Sequence, residues 1–337
     1  MRPDAHRLNR SRHRLTILSS SALLIRAPLI RALLSRVLLI RALSSRVLLI
    51  GVLFIVALCN FVLSKVTIAS IIFIRKQYTP ESGKKIRLPR LSHMKVEGYI
   101  IHLARAKARL PQVKKLQASL PVTTHVIDAV DAQQLSSAQQ RLYKTNVHRP
   151  RYPFAMRQSE IACFLSHRLV WQALLDSDND AALIVEDDVD VDQTHFKAGY
   201  ALACEHLGSG YVRFPKNLNE LPFKSIACVG NTSLFYPTEI ALGMQLQLVS
   251  REAAKQMLKA TQCFDRPVDT FLQMRWLTDV SSKVVSPSGV HEIDAQLGGT
   301  TIGQKKSLLE ILYREIMRPV YRFKIYLLCK VHRPNVT

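Results

Sequence analysis

The sequence predicts an α/β domain with a mostly parallel central sheet at about residues 96–303. Short apolar segments alternate with segments of helical periodicity along this region, which is typical of α/β proteins. The segment AALIV at 181–185 has no polar face, as expected of a parallel strand that is covered on both sides. Residues 99–303 include 21 basic and 20 acidic residues, so the net charge of +22 lies mainly at the two ends of the chain.

Strands are predicted at 98–103 (GYIIHL) and at 124–132 (THVIDAVDA), because both segments are apolar and rich in β-branched residues. A helical segment separates them, another helix is expected at 135–146, and two prolines then indicate a loop. The strongest helical pattern is 158–176, QSEIACFLSHRLVWQALLD. Apolar residues surround much of this helix, so we expect it to be buried beneath the sheet.

The alternation continues after the apolar strand at 181–185. A strand is predicted at 241–249 and a helix at 250–260, with Ser250 as the residue that caps it. A further helix begins at 267. The region has no internal repeat and no second apolar core in its pattern, which predicts a single domain.

The N-terminal region is strongly basic, because residues 1–98 include 18 basic and 3 acidic residues. Within 1–46, arginine recurs every five residues from Arg26 to Arg46, so the arginines spiral around a helix and leave no apolar face. This low-complexity segment is predicted to be disordered or dispensable. Residues 47–74 are predicted to form a transmembrane or interfacial segment, and 75–95 a polar linker. Met94 is a candidate start of the functional chain; the alternative is a real membrane anchor before it.

The C-terminal tail at 304–337 is also basic, with 8 basic and 2 acidic residues. Tyrosine, phenylalanine and leucine alternate with lysine and arginine, which favours an amphipathic segment on an anionic membrane surface. The alternative is that the tail packs against the domain. The sequence shows no RNA- or DNA-binding motif, so we expect no nucleic-acid partner.

Three consecutive carboxylates, Glu186, Asp187 and Asp188, follow the apolar strand directly. In open α/β sheets, ligands bind at the carboxyl ends of the strands, which is where these acids are expected. Alternation along the strand places Glu186 and Asp188 on one side and Asp187 on the other. Two converging carboxylates suit Mg²⁺ or Mn²⁺ with coordination positions left for phosphate oxygens. The alternative is a solvated acidic turn.

The segment SEIACFLSHRLVWQALLDSDNDAALIVEDDVDV at 159–191 resembles the signature of glycosyltransferase family 25. This family comprises lipopolysaccharide and lipooligosaccharide glycosyltransferases related to the collagen galactosyltransferases. The resemblance covers about 98–303 and rests on Glu160, Ile161, Cys163, Ser166, His167, Trp171 and the Glu186-Asp187-Asp188 run. The first strand differs from the family pattern, because His102-Leu103-Ala104-Arg105 stands where Asn-Leu-Asp-Arg is usual.

The resemblance implies a GT-A type, Rossmann-like domain that binds a nucleotide sugar. The implied reaction transfers galactose or glucose from a UDP-sugar to a saccharide acceptor of the lipopolysaccharide or lipooligosaccharide core, with inversion and with Mn²⁺ or Mg²⁺. It also implies the cytoplasmic face of a bacterial inner membrane; the alternative is a type II anchor in a secretory compartment. Rival interpretations are a metal-dependent phosphodiesterase or hydrolase and an inactive, membrane-tethered carbohydrate-binding relative.

Within this reading, Asp188 is the first candidate metal ligand and Glu186 the second. His291, from a late loop, is a candidate third ligand, with a plain surface histidine as the alternative. Asp187 is expected to contact the ribose or the donor sugar. Asp269 is the candidate catalytic base that takes a proton from the acceptor hydroxyl, with helix capping as the alternative.

Five further residues are candidates for donor binding. Arg266 is expected to counter phosphate charge unless it is an ordinary exposed arginine. Ser166 and His167 are expected near the donor pocket, with helix packing as the alternative. Glu160 either orients a basic side chain or complements the helix dipole. Asp128 either lines the nucleotide pocket or belongs to a plain turn.

Overall fold

The computed structural model of the protein describes residues 94–293 and 308–332. All of these belong to one compact unit, residues 65–337, whereas a second unit, residues 1–64, contains no described residue. The predictions for the arginine repeat at 1–46, for the hydrophobic segment at 47–74 and for most of the linker therefore lie outside the described residues. None of the described helices is long and apolar enough to span a bilayer.

The described chain contains ten strands and eight α-helices. The strands are β1 Val96–His102, β2 Thr124–Asp128, β3 Ala181–Glu186, β4 Val189–Val191, β5 Tyr211–Arg213, β6 Pro222–Val229, β7 Thr232–Pro237, β8 Leu246–Ser250, β9 Ser282–Ser286 and β10 Val290–Glu292. The helices are α1 Leu110–Ser119, α2 Ser137–Gln140, α3 Gln158–Asp176, α4 Gln193–Glu205, α5 Arg251–Ala260, α6 Val268–Leu272, α7 Arg275–Thr278 and α8 Leu308–Val331. A 3₁₀ turn at Lys107–Arg109 precedes α1.

Eight of the strands form one sheet in the order β2-β1-β3-β8-β5-β9-β7-β6, and β10 pairs with β4 separately. The α/β class is thus confirmed. The sheet is mixed: β1 is parallel to β2 and β3, and β5 to β9, but β8 is antiparallel to both of its neighbours. Helices on both faces bury β3 whichever way its neighbours run, so an apolar strand does not reveal the direction of its partners.

Several predicted elements agree with the structure. Helix α3 has the predicted bounds, β3 extends the predicted strand by one residue, and α5 begins directly after Ser250. The Ser250 hydroxyl accepts a hydrogen bond from the Ala253 amide at 3.1 Å, which is the expected capping contact.

Three predicted elements are shorter than their patterns, and the first is the strand predicted at 124–132, which ends at Asp128. The helix predicted at 135–146 is only α2, because Leu142 and Lys144 instead exchange backbone hydrogen bonds with Phe264. The strand predicted at 241–249 begins at Leu246. The residues before it turn through Gly243, whose φ of +103° an L side chain would rarely adopt.

Two apolar clusters fill the space on the two faces of the sheet. One joins alternate residues of β1 and β3 to α3, α5, α6 and α8; from the strands it takes Tyr99, Ile101, Ala182 and Ile184. The other cluster joins the alternate residues on the opposite face of β1 and β3 to α1 and α4. Its residues from these two strands are Ile100, Ala181, Leu183 and Val185. The alternation therefore assigns each residue at the end of β1 and β3 to one face or the other.

Helix α8 packs on the first of these faces. Tyr321, Ile325 and Cys329 are 6%, 1% and 0% exposed and belong to the α3 cluster. Of the two predictions for the basic tail, the structure shows the packing against the domain for 308–332. Contact with a membrane stays a prediction.

The burial of α8 predicts a difference between two substitutions on the same helix. Ile325→Ala should lower the free energy of unfolding by about 3 kcal/mol, because it leaves a cavity in the core. Leu327→Ala is the control: Leu327 is 45% exposed, and its loss should cost about 0.5 kcal/mol or less. Urea unfolding of the full chain measures both values, and equal values would contradict the packing of α8.

Candidate active site

A cleft of about 940 Å³ opens at the carboxyl end of β3. Its walls come from α3, the end of β3, the segment before β8, the start of α6 and one face of α8. Titratable side chains that line it are Glu160, Cys163, Glu186, Glu239, Asp269, Arg314, Arg318 and Arg322. Of the three acids predicted to follow the strand, Glu186 lines this cleft, and each of the three takes a different environment.

Glu186 follows Ala182 and Ile184 onto the α3 face of the sheet, where it lines the cleft. Its Oε1 atom lies 3.2 Å from Nε2 of His167, a fully buried residue of α3. Cys163 lies one helical turn before His167. One ligand atom of each of these three residues lies within 4.8 Å of the others, and among the described residues this is the group of three that could hold a metal ion.

Asp187 points to the opposite face, as the alternation predicts. Its carboxylate lies 2.6 Å from Nδ1 of His102 and accepts a hydrogen bond from Nη1 of Arg109 at 2.7 Å. His102 follows Ile100 onto the same face, and Arg109 comes from the turn before α1. Asp187 is only 6% exposed and is not among the residues that line the cleft. The chain itself therefore supplies the partners of this carboxylate, and one of them, Arg109, carries a positive charge.

Asp188 lies just beyond the last residue of β3 and is partly buried. Its Oδ2 atom lies 3.7 Å from Nη1 of Arg109, and its carbonyl accepts a hydrogen bond from the Ile293 amide at 2.9 Å. Its charge also acts on Cys163 of the cleft wall. Asp188 thus lies beside Arg109, and it is not among the residues that line the cleft.

Carboxylates concentrate negative charge around Cys163. Burial raises the pKa of its thiol well above the usual value, and four carboxylates raise it further: Glu186, Asp269, Asp188 and Glu160. The free thiol is consequently protonated at neutral pH and is not a nucleophile there. The same four charges make the cleft a favourable place for a cation.

Asp269 lies in the first turn of α6 and lines the cleft. Its carboxylate accepts hydrogen bonds from the amides of Gly243 at 3.1 Å and Thr270 at 2.6 Å. Pro267 occupies the capping position of α6, so Asp269 is not the residue that caps it. The two amides fix the direction of the carboxylate at the cleft wall.

Glu160 lies in the first turn of its helix, which agrees with the helix-dipole alternative. It accepts a hydrogen bond from the Arg157 amide at 2.7 Å at the start of α3, and it also lines the cleft. Ser166 lies away from the cleft: its hydroxyl donates to the Ala162 carbonyl at 2.8 Å and accepts from the Val130 amide at 2.9 Å. This contact joins α3 to the segment after β2.

Arg266 does not reach the cleft, so phosphate binding by its side chain does not fit the structure. It is 0% exposed, pairs with Asp265 at 2.7 Å and donates to the Tyr321 hydroxyl at 2.7 Å. Its guanidinium also donates to the carbonyls of His148 and Pro150. Arg266 is a core residue that joins three segments of the chain.

His291 and Asp128 lie at the rim of the site. His291 is exposed and pairs in register with Asp190 on β4, so it is not part of the group formed by Cys163, His167 and Glu186. Asp128 ends β2, where it is exposed and in register with His102. Asp128 therefore lies at the same carboxyl edge as the acids of β3.

Sequence reasoning missed the partners of Asp187, the cleft residue Glu239 and the arginines of α8. The spacing of Arg314, Arg318 and Arg322 at every fourth position was a usable signal for one helix face. The pairing of His102 with Asp187 had no such signal, because the two residues are 85 positions apart.

The contacts of Asp187 predict a large effect on stability. Asp187→Asn should lower the free energy of unfolding by about 3 kcal/mol, because His102 and Arg109 lose a buried counter-charge. Asp190→Asn is the matched control. Asp190 pairs with Lys115, which is 57% exposed, and its loss should cost about 0.5 kcal/mol. Chemical denaturation of the full chain measures both, and a similar loss in the two variants would contradict the buried cluster.

Comparison with known proteins agrees with this geometry. The family model described as "Glycosyltransferase family 25 (LPS biosynthesis protein)" matches residues 95–272, which is more than half of the chain. Procollagen galactosyltransferase 2 of Mus musculus and that of Homo sapiens are each 31% identical over 98 residues. The aligned part is 28% of this chain and only 16% of the length of each relative.

Among solved structures, the inositol-1-phosphate CTP transferase from T. maritima is similar over 68% of this chain and 98% of that one, at 10% identity and a TM-score of 0.29. That similarity is too low to support a conclusion. The family match covers β1, β3, the acidic run and Asp269, and it covers most of the residues from which the cleft is built. The chain therefore belongs to glycosyltransferase family 25.

Proposed function

We propose that the protein is a hexosyltransferase that moves galactose or glucose from a UDP-sugar to a saccharide acceptor of the lipopolysaccharide or lipooligosaccharide core, with inversion at the anomeric carbon. The observation that carries the proposal is a cleft at the carboxyl end of β3 that is lined by the carboxylates of Glu160, Glu186, Glu239 and Asp269, in a chain of family 25. The names of the related galactosyltransferases favour galactose. The domain is proposed to be of GT-A type.

Glu186 and Asp188 are proposed to hold Mn²⁺ or Mg²⁺. The two carboxylates fit such a hard ion, because carboxylate oxygens are its preferred ligands. A bound cation would stabilise the negative charge of the leaving diphosphate. His167 contacts Glu186 and orients its carboxylate. His291 is left out of this ligand set, because it pairs in register with Asp190 on β4. Asp187 is left out, because His102 and Arg109 already use its two oxygens.

Asp269 is proposed as the base that accepts the proton of the acceptor hydroxyl. Its carboxylate lies in the cleft wall and is held by two backbone amides, which gives it a fixed direction. Glu239 is the second candidate, because it lines the same cleft and burial raises its pKa, although the charge of Arg322 lowers it. A carboxylate whose pKa is raised is a stronger base than one whose pKa is unchanged, which is the argument for Glu239.

The donor is proposed to lie between the acids and the aromatic residues of the same cleft. Tyr152 and Phe154 line the cleft and stack edge to face, with ring centroids 5.4 Å apart. Such rings offer an apolar surface to a sugar or a base and exclude water from the reaction. Asp128 is proposed to contact the nucleotide from the exposed end of β2.

Peripheral membrane contact through α8 is part of the proposal, at the cytoplasmic face of a bacterial inner membrane. Val320, Phe323, Leu327 and Val331 are all exposed and recur at helical spacing on the side away from the buried residues. Lysines flank this stripe, as in helices that lie on anionic lipid surfaces.

The metal proposal predicts the behaviour of three acidic variants. The full chain should release UDP and transfer sugar when incubated with UDP-galactose, Mn²⁺ and a lipooligosaccharide acceptor. Glu186→Gln and Asp188→Asn should each lower the rate about 100-fold or more, because a lost cation contact costs several kcal/mol in the transition state. Asp190→Asn, a nearby acid outside the cleft, should keep the rate.

Three outcomes would contradict this account. Full activity in the presence of a strong chelator would remove the cation from the mechanism. Transfer that survives Asp188→Asn would remove Asp188 from the ligand set. Phosphodiester cleavage without sugar transfer would replace the transferase with a hydrolase. Repeating the assay with UDP-glucose identifies the preferred donor.

The base assignment predicts a split between two further variants. Asp269→Asn should lower kcat about 100-fold or more and leave the KM for the donor nearly unchanged, because it removes proton transfer and not donor binding. Glu239→Gln should keep most of the activity. The reverse result would make Glu239 the base. In that case, because its pKa is raised, activity would be lost as pH falls through a value above 4.5.

A further inference from the structure

We propose that one face of α8 forms an anion-binding wall of the cleft, in which Arg314, Arg318 and Arg322 bind a phosphate or carboxylate group on the saccharide acceptor. The inference rests on the proposed function, because the acceptor is the second substrate of that reaction. It assigns a substrate class, an anionic saccharide, that the family match does not specify.

The pattern of α8 is the first argument. Positions 314, 318, 322, 325 and 329 recur at steps of three or four and thus form one stripe along the helix. The end of this stripe, with Ile325 and Cys329, is buried in the core as an inward helix face normally is. The first three positions of the stripe are the arginines 314, 318 and 322, and all three line the cleft. The helix therefore turns three of its five described cationic residues toward the cleft, and Lys324 and Lys330 lie elsewhere on it.

Neighbouring contacts orient two of these arginines, Arg314 and Arg318. Nε of Arg314 lies 3.2 Å from Oε1 of Glu310, and its guanidinium lies over the ring of Phe154 at 5.0 Å. Nη1 of Arg318 lies 3.4 Å from Oε1 of Glu315. Both ion pairs are made within α8 itself, so they orient the guanidinium groups without joining them to the acids of the cleft. A guanidinium has five N–H donors, and one such pair leaves several to face a ligand.

The shape of the guanidinium group indicates the ligand. Its planar pairs of donors match the two oxygens of a phosphate or a carboxylate, and this geometry gives the stronger, charge-assisted hydrogen bonds. Arg322 already acts on an anion in the cleft, because its charge lowers the pKa of Glu239. A neutral sugar has no need of three cationic groups along one wall.

The donor diphosphate is the other source of such an anion, and two observations favour the acceptor. First, the proposed function assigns the diphosphate to the cation at Glu186 and Asp188, which would balance its charge. Second, the family model ends at Leu272, before α8 begins. Donor chemistry common to the family belongs to the matched region, whereas α8 is where a difference in acceptor is expected.

Binding measurements on the full chain test the wall directly. The probes are galactose 6-phosphate as the anionic saccharide, galactose as the neutral one and UDP as the donor fragment. Arg318→Gln/Arg322→Gln is compared with Lys255→Gln/Lys259→Gln, which removes two exposed charges at the same spacing from α5. Dissociation constants are measured by calorimetry or by ligand-observed NMR.

The wall predicts that the wild type binds galactose 6-phosphate more tightly than galactose. The arginine double variant should lose about tenfold in affinity for galactose 6-phosphate, because charge-assisted hydrogen bonds are removed, with UDP and galactose within about twofold. The lysine double variant should stay within about twofold for every probe. Arg318→Lys/Arg322→Lys, which keeps the charge but not the fork, should fall between the wild type and the glutamine variant.

Each other outcome overturns the proposal. Equal affinity of the wild type for the two sugars, or unchanged binding in the glutamine variant, would mean that α8 has no anion site. An equal loss for UDP would assign the arginines to the donor diphosphate. An equal loss of affinity in Lys255→Gln/Lys259→Gln would indicate a general effect of the charge of the protein. If Arg318→Gln/Arg322→Gln does not fold, as judged by circular dichroism, Arg318→Lys/Arg322→Lys decides. Unchanged affinity of that variant for galactose 6-phosphate would mean that the paired donors of the guanidinium groups do not bind the anion. Failure of the proposed function would appear separately, as absence of sugar transfer by the wild type.

Discussion

The alternation of side chains at the end of β3 is the constraint on which the site depends. Because successive residues of a strand point to opposite faces, Glu186 and Asp187 cannot share one environment. Glu186 continues the α3 face and reaches His167 and the cleft, whereas Asp187 continues the other face and meets His102 and Arg109. The same rule places His102 beside Asp187, since both follow residues of the second apolar cluster.

This arrangement explains how three adjacent carboxylates are accommodated next to an apolar strand. The burial of an unpaired carboxylate would be costly, and Asp187 is buried only together with two cationic or hydrogen-bonding partners from β1 and from the turn before α1. Glu186 and Asp188 stay more accessible, with 26% and 21% of their side chains exposed. The buried acid stabilises the end of the sheet, and the proposed cation would bind the two more accessible acids.

Local patterns in the sequence were enough to predict β3, its acids, α3 and the Ser250 cap, because each depends on residues a few positions apart. Long-range pairings had no local signal. Arg266 contacts Tyr321, 55 positions away, and the segment near Pro150, 116 positions away, so its burial was not foreseeable from RPVDT alone. The antiparallel direction of β8 was missed for a related reason, since burial on both faces does not reveal the direction of the neighbouring strands. The basic tail looked like a membrane segment, but its inward stripe faces both the core and the cleft.

The central claim is that a cation binds on the Glu186 side of the strand end and not on the Asp187 side. Crystals of the full chain grown with Mn²⁺ and UDP, measured at the manganese absorption edge, locate the ion without reference to activity. The account predicts an anomalous peak in contact with carboxylate oxygens of Glu186 and Asp188 and with the diphosphate. A peak on Asp187, or an ion bound away from the cleft while Glu186 and Asp188 contact only protein, would contradict it.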